Sequence, residues 1–245
     1  MANVNLGFLG FGTTQSRNGT LQRPGGGLGI RTDTYAFETG SITANVAITS
    51  RSFSSEKIAL VLFNDNNADG ILNTGDTVRV NAGSGGTVQT INSTLSKGHY
   101  IARLTSVFDT GYNVQLARGT SNGANPLAAP EISLGTISQD LQKRGRISDN
   151  NNADNFAFTL DGTSSLNVNV RELGNKKGNV NIRVVQDLDS DGVVDSNEVV
   201  VRGVSSRNGN LDTITGLQGA GDYILQVCQS KGNTRFAASF DHVAV

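Results

Sequence analysis

The chain repeats itself once, and that duplication restricts its fold more than any other feature. DTYAF at Asp33–Phe37 recurs as DNFAF at Asp154–Phe158, 121 positions on. KIALVLFNDNNADG, ending at Gly70, matches NVNIRVVQDLDSDG, ending at Gly192, 122 positions on. GHYIARL from Gly98 matches GDYILQV from Gly221, 123 positions on. Upstream, NLGFLG from Asn5 pairs with SLGTIS from Ser133, 128 positions on, so the first copy is 7 residues longer there, in the loop containing RPGGGLG. Four blocks in one order, drifting by single residues, mark a tandem duplication with small loop insertions. A chain of 245 residues then divides into domains at 1–120 and 131–245, each of ordinary size. Between them SNGANPLAAP, 121–130, is small, polar and proline-bearing, which suits a linker of limited flexibility.

Both copies carry the same strand code. Ala44, Val46 and Ile48 alternate with polar or small neighbours, as do Leu166, Val168 and Val170. Ile58, Leu60 and Leu62 answer to Val180, Ile182 and Val184, and Tyr100, Ala102 and Leu104 to Tyr223, Leu225 and Val227. Tyr112, Val114 and Leu116 close the first copy, and Phe236, Ala238 and Phe240 the second. A period of two, broken by Gly, Asn and Asp, predicts half-buried strands. Thirty Gly against 3 Pro agrees with many strands joined by tight turns. The expected fold class is all-β: two tandem antiparallel β-sandwich, jelly-roll-like domains of about seven to nine strands each. QDLQKRGR, Gln139 to Arg146, is read as no more than one helical turn.

Composition removes several functions. Lys plus Arg number 20 against 21 acidic residues, a net charge of -1. Such a balance supplies no overall field for a polyanion, so neither nucleic acid nor an anionic membrane is expected as a partner. No apolar run approaches the roughly 18 residues of a membrane span. The single Cys228 excludes an internal disulfide and a thiolate metal site. MANVNLGFLGFG lacks the basic start and unbroken apolar core of a secretory signal.

The chemistry concentrates in a twelve-residue acidic loop inside the best-matched block. In the second copy it reads DLDSDGVVDSNE, with Asp187, Asp189 and Asp191 at positions 1, 3 and 5, Gly192 at 6, Val193 at 7, Asp195 at 9 and Glu198 at 12. This is the spacing of an EF-hand loop. Alternate carboxylates converge on a hard cation, Gly allows the sharp turn, position 7 offers its backbone carbonyl, and the last carboxylate closes the shell with two oxygens. The first copy reads DNNADGILNTGD, with Asp65, Asn67, Asp69, Ile71, Asn73 and Asp76 in the ligand positions and Gly70 at the turn. Its formal charge is lower and Asp76 is shorter than Glu198. Calcium is therefore expected in both loops and more weakly in the first. Strand-like VLF and TVRV flank the first loop instead of paired helices, so the expected role is to pin a β-hairpin connection, not to switch.

Little else points to catalysis. His99 in GHYIARL is replaced by Asp222 in the second copy, and His242 lies near the C-terminal end, where fraying opposes precise chemistry. Asp33 and Asp154 are read as turn caps, DNNNAD (149–154) as a turn, Cys228 as a small buried residue, and Lys143, Arg144, Arg146, Lys176 and Lys177 as solvated loop cations. GFLGFG and RPGGGLG lack the strand-to-helix setting of a phosphate-binding loop.

The strand blocks resemble the bacterial pre-peptidase C-terminal domain, a β-sandwich module of secreted proteins. The likeness rests on Asp33, Tyr35 and Phe37 (Asp154, Phe156 and Phe158 in the second copy), on the central apolar strand, and on Gly98, Tyr100 and Leu104 (Gly221, Tyr223 and Val227). It implies a metal-stabilised adhesive sandwich, since relatives include calcium-dependent collagen binders. The resulting expectation is a non-enzymatic, calcium-binding structural or adhesive protein of the bacterial surface or extracellular matrix. Its expected partner is an extracellular protein, a polysaccharide or itself. The alternatives are a fibre subunit joined by N-terminal strand addition and an accessory module of a secreted hydrolase.

Overall fold

In a computed structural model the described residues are 2–22, 29–40, 42–83, 85–120, 124–173, 178–206 and 210–244. RPGGGLG up to Leu28, and Lys176 with Lys177, fall outside them. No helix occurs among the described residues, so none is available to cross a membrane. The chain divides into two compact units, Met1–Ser121 and Asn122–Val245.

The first unit contains β1 (Asn3–Phe8), β2 (Thr14–Leu21), β3 (Arg31–Thr39), β4 (Ala44–Ser52), β5 (Ala59–Asn64), β6 (Thr77–Asn81), β7 (Val88–Leu95), β8 (Gly98–Ser106) and β9 (Thr110–Thr120). One sheet has the order β1-β3-β8-β5-β6 and the other β2-β9-β4-β7. The second unit contains β10 (Ile132–Thr136), β11 (Leu141–Ile147), β12 (Ala153–Leu160), β13 (Ser164–Leu173), β14 (Asn179–Val185), β15 (Val199–Arg202), β16 (Val204–Ser205), β17 (Leu211–Leu217), β18 (Gly221–Lys231) and β19 (Thr234–Ala244). Its sheets run β10-β12-β18-β14-β15 and β11-β19-β13-β17-β16. Strand for strand this is the first topology again, with β16 added at one edge. Within QDLQKRGR, Leu141–Arg146 belong to strand β11, which pairs with β19 along its length, and no helical turn forms there.

One pair in each unit departs from the antiparallel expectation. β1 runs parallel to β3, and β10 to β12. The strand between them in sequence, β2 or β11, lies in the opposite sheet, so the chain crosses the sandwich and returns in the same direction. Both parallel pairs carry a register shift at a glycine, between Asn5 and Gly7 and between Ser133 and Gly135. Each glycine has φ +69°, a left-handed value that a residue with a Cβ resists. The N-terminal segment is thus a strand of its own sheet. Val4 and Leu6 pack against the core and Leu9 is fully buried, while β1 itself stands at the edge of its sheet, paired on one side with β3.

The alternating residues meet between the sheets. Val46, Ile48, Leu60, Leu62, Leu104, Val114 and Leu116 fill the first core, and Leu166, Val168, Ile182, Val184, Leu225, Val227 and Phe240 the second. Phe37 stacks on Tyr100 at 5.7 Å, and Phe158 on Tyr223 at 5.6 Å. Tyr35 meets Tyr112 edge-on at 6.4 Å and 85°, and Phe156 meets Phe236 at 6.2 Å and 86°. Geometry has outlasted chemistry here. The first pair shares a hydroxyl hydrogen bond of 2.6 Å, and Tyr112 Oη donates to Asp33 Oδ2 at 2.8 Å, whereas the second pair is wholly apolar.

The segment expected as a linker belongs, over residues 124–130, to the second unit. Asn125, Leu127, Ala128 and Ala129 are buried. Their backbone carbonyls are held by side chains from the outer face of the sheet. Gln226 Nε2 donates to Leu127 O and Asn155 Nδ2 to Ala129 O, both at 3.0 Å, and Arg183 donates to Asn125 O. Gln226 also accepts from Arg183 Nε at 2.9 Å and donates to Asn155 Oδ1 at 3.0 Å. A buried polar ladder thus satisfies a backbone strap that secondary structure leaves unpaired.

Candidate metal centre

Each acidic loop joins the two strands of an edge hairpin, β5 to β6 and β14 to β15. Both loops have the same internal bonding. At position 1, Asp65 Oδ2 accepts from Gly70 N at 2.8 Å and Asp187 Oδ2 from Gly192 N at 3.0 Å. At position 5, Asp69 Oδ1 accepts from Ile71 N at 2.7 Å and Asp191 Oδ1 from Val193 N at 2.6 Å. At position 12, Asp76 accepts from Asn66 N and Asn73 N at 3.0 and 2.9 Å, and Glu198 from Leu188 N and Asp195 N at 2.7 and 3.0 Å. Asp76, one methylene shorter, therefore spans the same two amides as Glu198, and its length does not prevent closure of the loop.

The backbone follows the same path in both. Position 6 is left-handed, with φ +71° at Gly70 and +76° at Gly192. So is position 4, with φ +58° at Ala68 and +60° at Ser190, the only positive-φ residues other than glycine among those described. A left-handed residue with a Cβ costs about 1–2 kcal/mol. Both copies hold it at the same position, within the same set of loop hydrogen bonds.

The enclosed groups suit a hard divalent cation. Asp187, Asp189 and Asp191 each bring a carboxylate oxygen within 4.8 Å of the others. The second oxygen of position 1, Oδ1 of Asp65 and of Asp187, is buried with no hydrogen-bond partner, and Asp65 itself is only 6% exposed. A buried carboxylate oxygen without a donor is costly unless a cation satisfies it. Burial raises the Asp187 carboxyl above the ordinary carboxylate range; the Gly192 amide opposes this, and repulsion from Glu198, Asp191 and Asp189 adds to it. Burial likewise raises Asp191, the Val193 amide opposes it, and Asp189, Asp195 and Glu198 add to it. The donors are all oxygens, which favours calcium or magnesium over softer metals.

The two loops differ in their amides. In the first, Asn67 Nδ2 donates to Asp69 Oδ2 at 2.7 Å, and Asn73 Nδ2 donates to Ile71 O at 3.0 Å. Two amide N–H groups thus occupy oxygens that a cation would use. The second loop has Asp189 and Asp195 there and no such internal substitute.

The second loop is also clamped by the strap. Ala128 N donates to Gly192 O at 3.1 Å and Val194 N to Pro126 O at 2.9 Å, which places Leu127 opposite Val193. In this wide pair the Val193 carbonyl points away from the strap, to the side on which Val193 N donates to Asp191 Oδ1. Beside the loop, an open cleft of about 270 Å³ is lined by Pro130, Ser133, Thr159, Asp187 and Asp222 among others. Sequence reasoning missed both strap and cleft. The available signal was the run of polar residues, Asn155, Arg183 and Gln226, at positions facing out of a sheet.

The remaining candidates do not join this centre. His99 is exposed on β8 opposite Glu38. His242 lies within β19, paired with Leu166, and its amide donates to Asp140 at 2.9 Å, so the chain there is a strand. Asp154 accepts from Asn151 Nδ2 at 2.7 Å, and burial pushes its carboxyl up to about 6. Burial pushes the Cys228 thiol up to about 11, as befits an inert core residue. GFLGFG places Phe8 and Phe11 over the Arg118 guanidinium at 5.4 and 3.8 Å.

No family model matches the chain, and neither does any curated protein. Among solved structures it is similar to the pre-peptidase C-terminal domain of a collagenase from Bacillus anthracis, at 15% identity over 46% of this chain and 92% of that one, TM-score 0.35. It is similar to PliG of Aeromonas hydrophila, a periplasmic inhibitor of g-type lysozyme, at 15% identity over 45% and 97%, TM-score 0.29. The PBSX exported protein XepA matches at 14% identity over 94% of this chain and 86% of that one, TM-score 0.32. Likenesses at these scores carry no inference about binding or location.

Proposed function

We propose that the chain is a non-catalytic, calcium-stabilised binding or structural protein that works outside the cell, built from two sandwiches of the pre-peptidase C-terminal type. The observation that carries the reading is the pair of equivalent loops, each with a buried, unpartnered position-1 carboxylate oxygen and a closing position-12 carboxylate. Asp187, Asp189, Asp191, the Val193 carbonyl and Glu198 would hold the second ion, with Asp195 at the rim. Asp65, Asp69, Asp76 and the Ile71 carbonyl, with Asn67 and Asn73 once their amides turn, would hold the first. Calcium here fixes edge hairpins in place. Calcium sites of extracellular modules bind at about 10⁻⁴–10⁻³ M, a range filled outside cells and nearly empty in cytosol, and the affinity expected here is of that order.

Isothermal titration of the chelator-stripped protein with calcium tests this. Two sites are expected, and the tighter disappears in Glu198→Gln while the weaker disappears in Asp65→Asn. Absence of any heat up to several millimolar calcium would overturn the proposal.

A further inference from the structure

We propose that the outward face of the sheet β11-β19-β13-β17 binds an acidic polysaccharide. Strand alternation aims Gln142, Arg144 and Arg146 of β11 away from the core, together with Arg235, Ala237 and Ser239 of β19. Asn169 and Arg171 of β13 face the same way. Register lines these residues up in rows: Arg144 and Arg171 both pair with Ala237, and Gln142 and Asn169 both pair with Ser239. Two guanidiniums thus face each other across an alanine, on backbones about 10 Å apart, twice the strand spacing. Arg146 pairs with Arg235 one row on. A groove of about 380 Å³ follows, with Ala237 and Ser239 as floor and Gln142, Arg144, Asn169 and Arg171 as walls.

Four arginines converge on this face of a chain whose net charge is -1. Among the described residues none of their guanidiniums has a hydrogen bond or an ion pair, the sole salt bridge being Arg31 with Asp109. Asp241, at an outward position of β19, is already engaged by Asn169 Nδ2 at 2.8 Å.

The fold does not require this arrangement, because the first copy lacks it. By register its corresponding rows are Asn18–Asn113–Arg51 and Ser16–Gln115–Thr49. There Asn113 replaces Ala237 and fills the floor, its Nδ2 donating to Ser16 Oγ at 2.8 Å and Asn18 Oδ1 at 2.9 Å. The second copy has an emptied floor and a second arginine wall.

The chemistry selects the ligand class. Guanidinium forks match carboxylate and sulfate groups two bonds at a time. Gln142, Asn169 and Ser239 supply neutral donors and acceptors for hydroxyls. No aromatic ring lines the groove, so it offers no platform for stacked bases. A chain of uronate or sulfated sugars fits better than a nucleic acid. This surface deepens the binding role proposed above by naming its ligand class, yet shares no residue with the acidic loops.

Polygalacturonate titrated into labelled full-length protein, in chelator, tests the surface apart from calcium. Dextran is the neutral control, and a single-stranded oligonucleotide and polyglutamate are competitors. Wild type is expected to bind polygalacturonate and ignore dextran. Arg144→Gln with Arg171→Gln is expected to weaken binding about tenfold per guanidinium. Ala237→Asn, which rebuilds the filled floor, is expected to weaken it with the unfolding temperature unchanged. The proposal is overturned if polygalacturonate does not bind, if both variants keep wild-type affinity, or if the oligonucleotide or polyglutamate binds more tightly.

Discussion

Asp154 shows how much one side chain adds at the residue scale. It holds the position that Asp33 holds in the first copy, but it has lost the tyrosine hydroxyl: Phe236 stands where Tyr112 donates to Asp33. Its remaining side-chain bond is from Asn151, and burial raises its carboxyl from the ordinary 3.8 to about 6. A carboxyl raised in the folded state contributes stability at low pH, and that contribution disappears as pH rises through about 6. The second unit should therefore be more stable near pH 5 than near pH 8. Asp154→Asn should flatten that dependence and stabilise the unit at neutral pH by about 2–3 kcal/mol, since a tenfold change in acidity is worth about 1.4 kcal/mol. Urea unfolding of both proteins across this range measures it. An unchanged pH slope in the variant would assign the dependence elsewhere. Glycine works at the same scale. Gly19 pairs with Tyr112 and Gly145 with Phe236, and a Cβ would meet the Tyr112 hydroxyl at 2.4 Å and the Phe236 ring at 2.3 Å, so each glycine makes room for the aromatic of the neighbouring strand.

At the scale of elements, the strap is held by side chains far away in sequence. Gln226 lies 99 residues from Leu127 and Arg183 lies 58 from Asn125. Gln226→Met should leave the Leu127 and Asn155 oxygens and the Arg183 guanidinium short of partners, at a cost of about 1–3 kcal/mol or more. Because the strap also bonds to Gly192 and Val194, limited proteolysis within 124–130 should be faster in chelator than in calcium. It should be fast in both conditions for the variant. Equal cleavage of wild type with and without calcium would separate strap from loop. This part of the molecule was hidden in the sequence for a physical reason. SNGANPLAAP has the composition of a free linker, and only the outward polar residues of three distant strands make it a buried one. β11 was hidden likewise: between Leu141 and Ile147 it has no apolar residue, and its pairing with β19 decides its conformation. By contrast, the core strands, the repeat and the twelve-residue loops were legible, because each is written in local spacing.

At the scale of the whole molecule, duplication separates what the sandwich needs from what one copy has acquired. Topology, the bulge glycines, the ring pairs and the loop bonding recur in both halves. The arginine face does not. Net charge conceals it. An even total of acids and bases describes the chain as a whole, while the second unit sorts acids into a loop and arginines onto a sheet. The acidic loops are the shared chemical feature, and the central claim is that a cation completes them. Differential scanning calorimetry in chelator and in excess calcium tests this most directly. Calcium at about 100 times its Kd should stabilise a unit by about 2.7 kcal/mol. Both units should unfold at higher temperature in calcium, the second more than the first, and Asp187→Asn should abolish the gain of the second alone. Superimposable traces with and without calcium would contradict the account.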